Sequence, residues 1–203
     1  MSKAIVKTVL PKKEEEPITL ESGYQFSDAD IIPRPQRKYD VVVLGATGFT
    51  GKLAARHLAK TYGVNKDVKW AIAGRSQSKL DKIKQELTEE LALDDILQLD
   101  TMIVDTSIAS TMPKLVRDTR AVVTTAGPFC RYGNAVVEFC AKFGTHYADI
   151  TAESDWVRTM MLKWQDTARH SGAKIISFCG NDCVPWDLTV YQMARKLEEE
   201  AKE

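Results

Sequence analysis

The sequence predicts an α/β fold, a doubly wound and mostly parallel six-stranded sheet, on three observations. From Tyr39 to the C-terminus, strand-like and helix-like segments alternate without interruption, the order that builds a parallel sheet with helices on both faces. Val41-Val42-Val43-Leu44 is a continuous apolar, mostly β-branched run without polar alternation, as expected of a strand buried on both sides. Directly after it, Gly45, Gly48 and Gly51 stand at G-x-x-G-x-x-G spacing ahead of a helical pattern.

Read in order, strands are expected at 40–44, 68–73, 101–104, 120–125, 146–150 and 173–179. Helices are expected at 49–62, 77–91, 110–118, 133–143, 154–170 and 186–201, the last ending in the solvated run Leu197-Glu198-Glu199-Glu200-Ala201-Lys202-Glu203. There is no repeat of solenoid length and no heptad seam. Residues 1–38, with Lys12-Lys13-Glu14-Glu15-Glu16-Pro17 and Pro33-Arg34-Pro35, carry sparse apolar content and read as a flexible extension; residues 39–203 read as the domain.

Composition narrows the partners. The 203 residues are 44% hydrophobic and 28% charged, enough for one sizeable core. Lys and Arg number 28, as do Asp and Glu, so the formal charge is zero and no global field favours nucleic acid or an anionic membrane. A small, locally recognised ligand fits better. Met1 to Leu10 lacks the long apolar stretch of a secretory signal, and no run reaches the ~20 apolar residues that span a bilayer. A mitochondrial presequence is disfavoured by Glu14-Glu15-Glu16 and by the absence of arginine before Arg34. A cytoplasmic protein is therefore expected. Cys130, Cys140, Cys179 and Cys183 lie in or beside apolar runs without zinc-site spacing, so they are expected to be buried free thiols and no metal site is assigned. Cys179 and Cys183 as a redox pair is the alternative.

The loop Gly45-Ala46-Thr47-Gly48-Phe49-Thr50-Gly51 carries the chemistry. Its first glycine permits the tight turn, the second lets backbone approach a pyrophosphate, and the third lets helix and strand pack closely. Amides at the helix N-terminus then face the phosphate charge. Gly51-Lys52-Leu53 lacks the hydroxyl of a P-loop, so the pattern is that of a Rossmann-type dinucleotide turn. The end of the second strand selects the dinucleotide, because an acidic residue there would bind a free ribose 2′-hydroxyl. Here it reads Ala73-Gly74-Arg75-Ser76, with Lys79 one turn on, which suits the 2′-phosphate of NADP over NAD.

Two readings stand for Asp105, the adenine edge or a helix cap. In Thr124-Thr125-Ala126-Gly127-Pro128-Phe129, the small residues Ala126, Gly127 and Pro128 would let a ribose or nicotinamide lie against the sheet. No acid/base constellation stands out. His57, His146 and His170 read as structural. Asp149, Glu153 and Asp155 gather where a substrate-facing carboxylate could sit, with helix capping the plainer reading. Trp156, Met160, Met161 and Trp164, at helical spacing, read as core or interface.

Several stretches together resemble the N-terminal part of saccharopine dehydrogenase-like oxidoreductases, a group that includes trans-acting enoyl reductases. They are Tyr39 to Gly51, Ala71 to Ser76 with Lys79-Leu80, Gly127-Pro128-Phe129 leading to Tyr132-Gly133, Tyr147 to Glu153, and Gly180 to Leu188. The resemblance implies a nicotinamide-dependent oxidoreductase acting on a small-molecule carbonyl, imine or enoyl substrate. It places the cofactor on Gly45, Thr47, Gly48, Phe49 and Thr50, with Arg75 at the ribose phosphate. Family members continue into a substrate domain with its own sheet, whereas this chain stops after the helix that follows Pro185, leaving the cleft that orders substrate half built. Val190 and Met193 on that helix would then cover a missing domain or a subunit partner, including a second copy. Two other readings stay open: a catalytically silent nucleotide-binding or scaffold protein, and an atypical short-chain reductase. The last needs a Tyr-x-x-x-Lys pair, and neither Tyr132 nor Tyr147 has a lysine four residues on.

Overall fold

The computed structural model describes residues 31–201. Their six strands form one sheet in the order β3-β2-β1-β4-β5-β6. The strands are β1 Tyr39–Leu44, β2 Trp70–Gly74, β3 Asp100–Ile103, β4 Thr119–Thr124, β5 His146–Asp149 and β6 Ile175–Ile176. Every neighbouring pair is parallel, so the sheet is wholly rather than mostly so. The connections are α1 Phe49–Tyr62, α2 Gln77–Leu91, α3 Met112–Val116, α4 Phe129–Tyr132, α5 Asn134–Phe143 and α6 Ser154–Ser171; α7 Val184–Glu200 follows β6.

Alternation along β1 explains the two layers. Val42 and Leu44 enter a core shared with α3, α5 and α6, while Val43 enters a second core shared with α1 and α2. Both faces are covered, which is why its stretch Val41–Leu44 carries no polar residue. On α1 the buried positions are Gly51, Ala55 and Ala59, small residues one turn apart that let the helix lie close to the sheet. On α2 they are Leu80, Ile83 and Leu87.

Two departures from the expected elements have local causes. Strand β6 was expected to run over 173–179 and pairs only at Ile175–Ile176. Beyond it, the buried Asp149 carboxylate accepts the Ser177 hydroxyl at 2.9 Å and the Phe178 amide at 3.2 Å, and Phe178 takes a φ of 65°, so the chain leaves the sheet plane. In place of a bare loop, the residues after Pro128 form the short helix α4.

The boundary at residue 39 is also crossed. Residues 1–30 of the expected extension lie outside the described residues, but 31–38 are tied to the body. Arg37 is 6% exposed. It donates to the carbonyls of Ile32, Thr119 and Phe143 and to Thr145 Oγ1, at 2.8, 2.9, 2.5 and 2.8 Å respectively. Arg34 reaches the Gly172 carbonyl at 3.0 Å and His146 Nε2 at 2.9 Å.

At the other end, every described side chain of α7 is exposed. The four cysteines are free, but only Cys140 is buried; Cys130 and Cys179 are exposed and Cys183 is intermediate, correcting the expectation of four buried thiols. Trp156 and Met160 join the core, whereas Met161 is 57% exposed. No helix among the described residues is long and apolar enough to cross a membrane.

Candidate functional site

The carboxyl ends of β1, β2, β3 and β4 open into a groove of about 220 Å³. The order β3-β2-β1-β4 places the reversal of connection between β1 and β4, where a doubly wound sheet forms its ligand crevice. The turn after β1 contributes Gly45, Thr47 and Gly48 to the groove, and the end of β2 contributes Gly74 with Arg75 directly after it. The segments after β3 and β4 contribute Val104, Thr106, Thr125, Ala126 and Gly127, with Tyr132 from α4.

The glycines are there for room and for backbone conformation. Gly45 has a φ of 86°, a left-handed value that suits glycine. A Cβ on Gly51 would lie 2.1 Å from the Gly45 carbonyl oxygen, so helix α1 can start this close to the strand only without a side chain at that position. Gly48 is the N-cap of α1, and no side chain caps the helix, which leaves its first-turn amides facing the groove mouth. Ala46 is fully buried and Phe49 is 84% exposed, so these two frame the turn from opposite sides. Thr50, the second residue of α1, is also exposed. The site fits a dinucleotide phosphate: the tight glycine cradle and the uncapped helix end meet at one place.

Arg75 is exposed and lines the groove at the end of β2. Ser76 is the N-cap of α2, its hydroxyl 3.0 Å from that of Ser78, and Lys79 is exposed in the first turn. Arg75 therefore lines the groove itself, and Ser76 and Lys79 follow it at the start of α2.

Asp105 sits differently. Its Oδ1 accepts the Ser107 amide at 2.9 Å and the Ser107 hydroxyl at 2.6 Å. Those bonds, hydroxyl first, with a contribution from Arg75, hold its carboxyl below the usual range. Its neighbours Val104 and Thr106 line the groove instead. Pro128 likewise stands just outside, as the N-cap of α4, while Ala126 and Gly127 line the wall.

Of the three carboxylates near the end of β5, Asp149 is fully buried and occupied. It accepts the Tyr147 hydroxyl at 2.8 Å and the Thr151 amide at 3.1 Å, besides Ser177 and Phe178. Asp155 is exposed on α6. Glu153 caps α4 across 24 residues of sequence, accepting the Phe129 amide at 2.7 Å with one oxygen; the other accepts the Cys130 amide at 2.8 Å. The Cys130 thiol, followed by these amides, lowers the Glu153 carboxyl below its ordinary value.

Tyr132, Thr106 and Thr125 also line the groove, brought there by the order of the strands and by α4. Tyr132 belongs to one of the stretches that carry the family resemblance, and no local pattern marks the α4 cap that Glu153 supplies from so far along the chain. His57 and His170 are exposed on α1 and α6, and His146 belongs to the opposite rim with Arg34. A larger groove, about 450 Å³, runs between α6 and β6 and is walled mainly by apolar groups such as Met160, Trp164 and Ile175. It shares no residue with the glycine site.

Comparison with known proteins agrees with this geometry. The family model of the saccharopine dehydrogenase NADP-binding domain matches residues 41–176. A trans-acting enoyl reductase of Mycobacterium tuberculosis is 38% identical over 165 residues, covering 81% of this chain and 38% of the relative. One from Mycobacterium leprae is 39% identical with the same coverage. The chain thus spans well under half the length of these relatives. Among solved structures, apo saccharopine dehydrogenase (L-Glu forming) of Saccharomyces cerevisiae aligns with a TM-score of 0.59 at 17% identity, over 79% of this chain and 32% of that one. That likeness concerns the fold. The family model names the cofactor as NADP, in agreement with Arg75 in place of an acidic residue. With two thirds of its length matched by the model, the chain belongs to the saccharopine dehydrogenase NADP-binding domain family.

Proposed function

We propose that this chain is the NADP(H)-holding part of an oxidoreductase that moves a hydride to or from a carbonyl, imine or enoyl carbon of a small-molecule substrate. The observation that carries the reading is the glycine turn of Gly45–Gly51 facing Arg75 across one groove. The pyrophosphate sits on the turn and the first amides of α1, and the 2′-phosphate on Arg75, Ser76 and Lys79. The nicotinamide extends toward Thr125, Ala126, Gly127 and Tyr132. NADPH supplies the hydride when bound; the protein's own part is to orient it and to exclude one ribose face from water. Free thiols suit a reducing compartment such as the cytoplasm.

Titrating the full chain with NADPH and NADH tests the reading. NADPH binds more tightly, and Arg75→Ala weakens it by roughly tenfold while barely changing NADH, as loss of a charge-assisted phosphate contact requires. Equal affinities for the two in the unmodified chain would remove the assignment.

One observation favours a second reading, in which the chain holds nucleotide without turning it over. Among the described residues, helix α7 buries no side chain. A further domain or a second copy covering α7 would complete the substrate cleft. NADPH oxidation by the purified chain with any of a panel of enoyl and keto substrates would exclude the silent reading.

A further inference from the structure

Helix α4 has four residues, too few to hold a helical turn by propensity alone. It is held instead at both ends by groups from the start of α6. At its N-terminus, the two oxygens of Glu153 take the amides of Phe129 and Cys130 at 2.7 and 2.8 Å. At its C-terminus, Trp156 lies against Gly133 so closely that a Cβ there would be 2.4 Å from the indole ring. The same indole donates to Asn134 Oδ1 at 2.7 Å and packs on Phe129 with ring centroids 5.7 Å apart. Between these two grips stands Tyr132, half-buried in the wall of the cofactor groove beside Gly127.

We propose that Glu153 is a positioning residue for the nicotinamide half of the cleft: by clamping α4 to α6 it sets Tyr132 and the Thr125–Gly127 segment against the nicotinamide and its ribose. This rests on the cofactor reading above. The adenine half, built on Gly74, Arg75, Val104 and Thr106, belongs to other strands and receives nothing from the clamp. Glu153 gives each oxygen to a backbone amide of α4, the arrangement of a group that fixes geometry. Loss of the carboxylate would strand two amides at the start of a helix that cannot hold itself, and Tyr132 would leave the groove wall.

The experiment separates the two halves of the ligand. NADPH reports on the whole cleft through its affinity and through the change in nicotinamide fluorescence on binding. Adenosine 2′,5′-bisphosphate reports on the adenine half alone. In the full chain, Glu153→Ala and Tyr132→Phe each weaken NADPH by about tenfold and reduce the fluorescence change, while the bisphosphate binds as in the unmodified chain. Glu153→Gln, which keeps one acceptor oxygen, recovers part of the loss. Arg75→Ala gives the converse, weakening both ligands. Unchanged NADPH affinity and fluorescence in Glu153→Ala would overturn the proposal, as would an equal loss for both ligands in Glu153→Ala and Glu153→Gln. Failure of the unmodified chain to bind either ligand would overturn the cofactor reading itself, and this inference with it.

Discussion

Helices α2 and α7 carry nearly the same apolar periodicity and end in opposite circumstances. Leu80, Ile83 and Leu87 of α2 are 0%, 7% and 0% exposed. Trp186, Val190, Met193 and Leu197 of α7, spaced four, three and four residues apart, are 67%, 67%, 61% and 63% exposed. Helical spacing therefore states that a residue belongs on an apolar face and says nothing of what covers that face. For α2 the cover is a core shared with β1, β2 and α1, all of which precede it in the chain. For α7 no cover is present among the described residues, and Val184, Leu188 and Tyr191 form a second exposed row on its opposite side. A helix apolar on both sides is built to lie between two layers.

The largest effect that sharpens this contrast is in the body. Leu87→Ala should lower stability by about 3 kcal/mol, since it empties a fully enclosed site, and the loss is read from the urea midpoint at constant slope. A loss near zero would mean that α2 is as loosely held as α7. An intermediate effect concerns the rim where residues 31–38 join the body. His146 meets a donor on each side, the Lys174 amide 3.0 Å from Nδ1 and the Arg34 guanidinium 2.9 Å from Nε2; the neutral ring can accept from one of them, the charged ring from neither. Burial first, then the charges of Arg34, Lys174 and Arg37, lower its pKa from the ordinary value. The folded chain thus binds fewer protons than the unfolded one below about pH 6.5, so this stability is present above that pH and is lost as pH falls toward the folded value. Urea midpoints measured at about pH 7.5 and pH 5.5 should fall at the lower pH, and His146→Gln should flatten the difference. A pH response identical in both proteins would remove His146 as its source. The smallest effect is at α7, where Leu197→Ala should change the stability of this chain by less than about 0.5 kcal/mol. A larger loss would show that α7 is covered in solution, by a second copy if the loss depends on protein concentration.

Legibility followed the range of the interactions. Helices 49–62 and 77–91 occupy the residues the periodicity predicts, and the glycine turn lies where strand, spacing and helix place it. Those features depend on residues within a turn or two of one another. Strand β6 was overestimated because the carboxylate that draws Ser177 and Phe178 out of the sheet lies 28 residues earlier, on a neighbouring strand. Arg37 was read as part of an extension because its acceptors Thr119, Phe143 and Thr145 are 82, 106 and 108 residues away. Asp105 shows the two ranges at once: its carboxylate closes a local turn onto Ser107 and caps neither following helix, while its place beside the groove comes from the order of the strands.

The amino-acid sequence by itself determined the alternating α/β order, the glycine turn and a basic rather than acidic residue at the end of the second strand, because each is written in adjacent residues whose backbone and charge act locally. Only the tertiary structure decided that Glu153 clamps α4, that Tyr132 enters the groove of the glycine turn and that no other described residue covers α7. These depend on β4, β5 and the start of α6 being brought side by side, a neighbourhood that no spacing along the chain encodes.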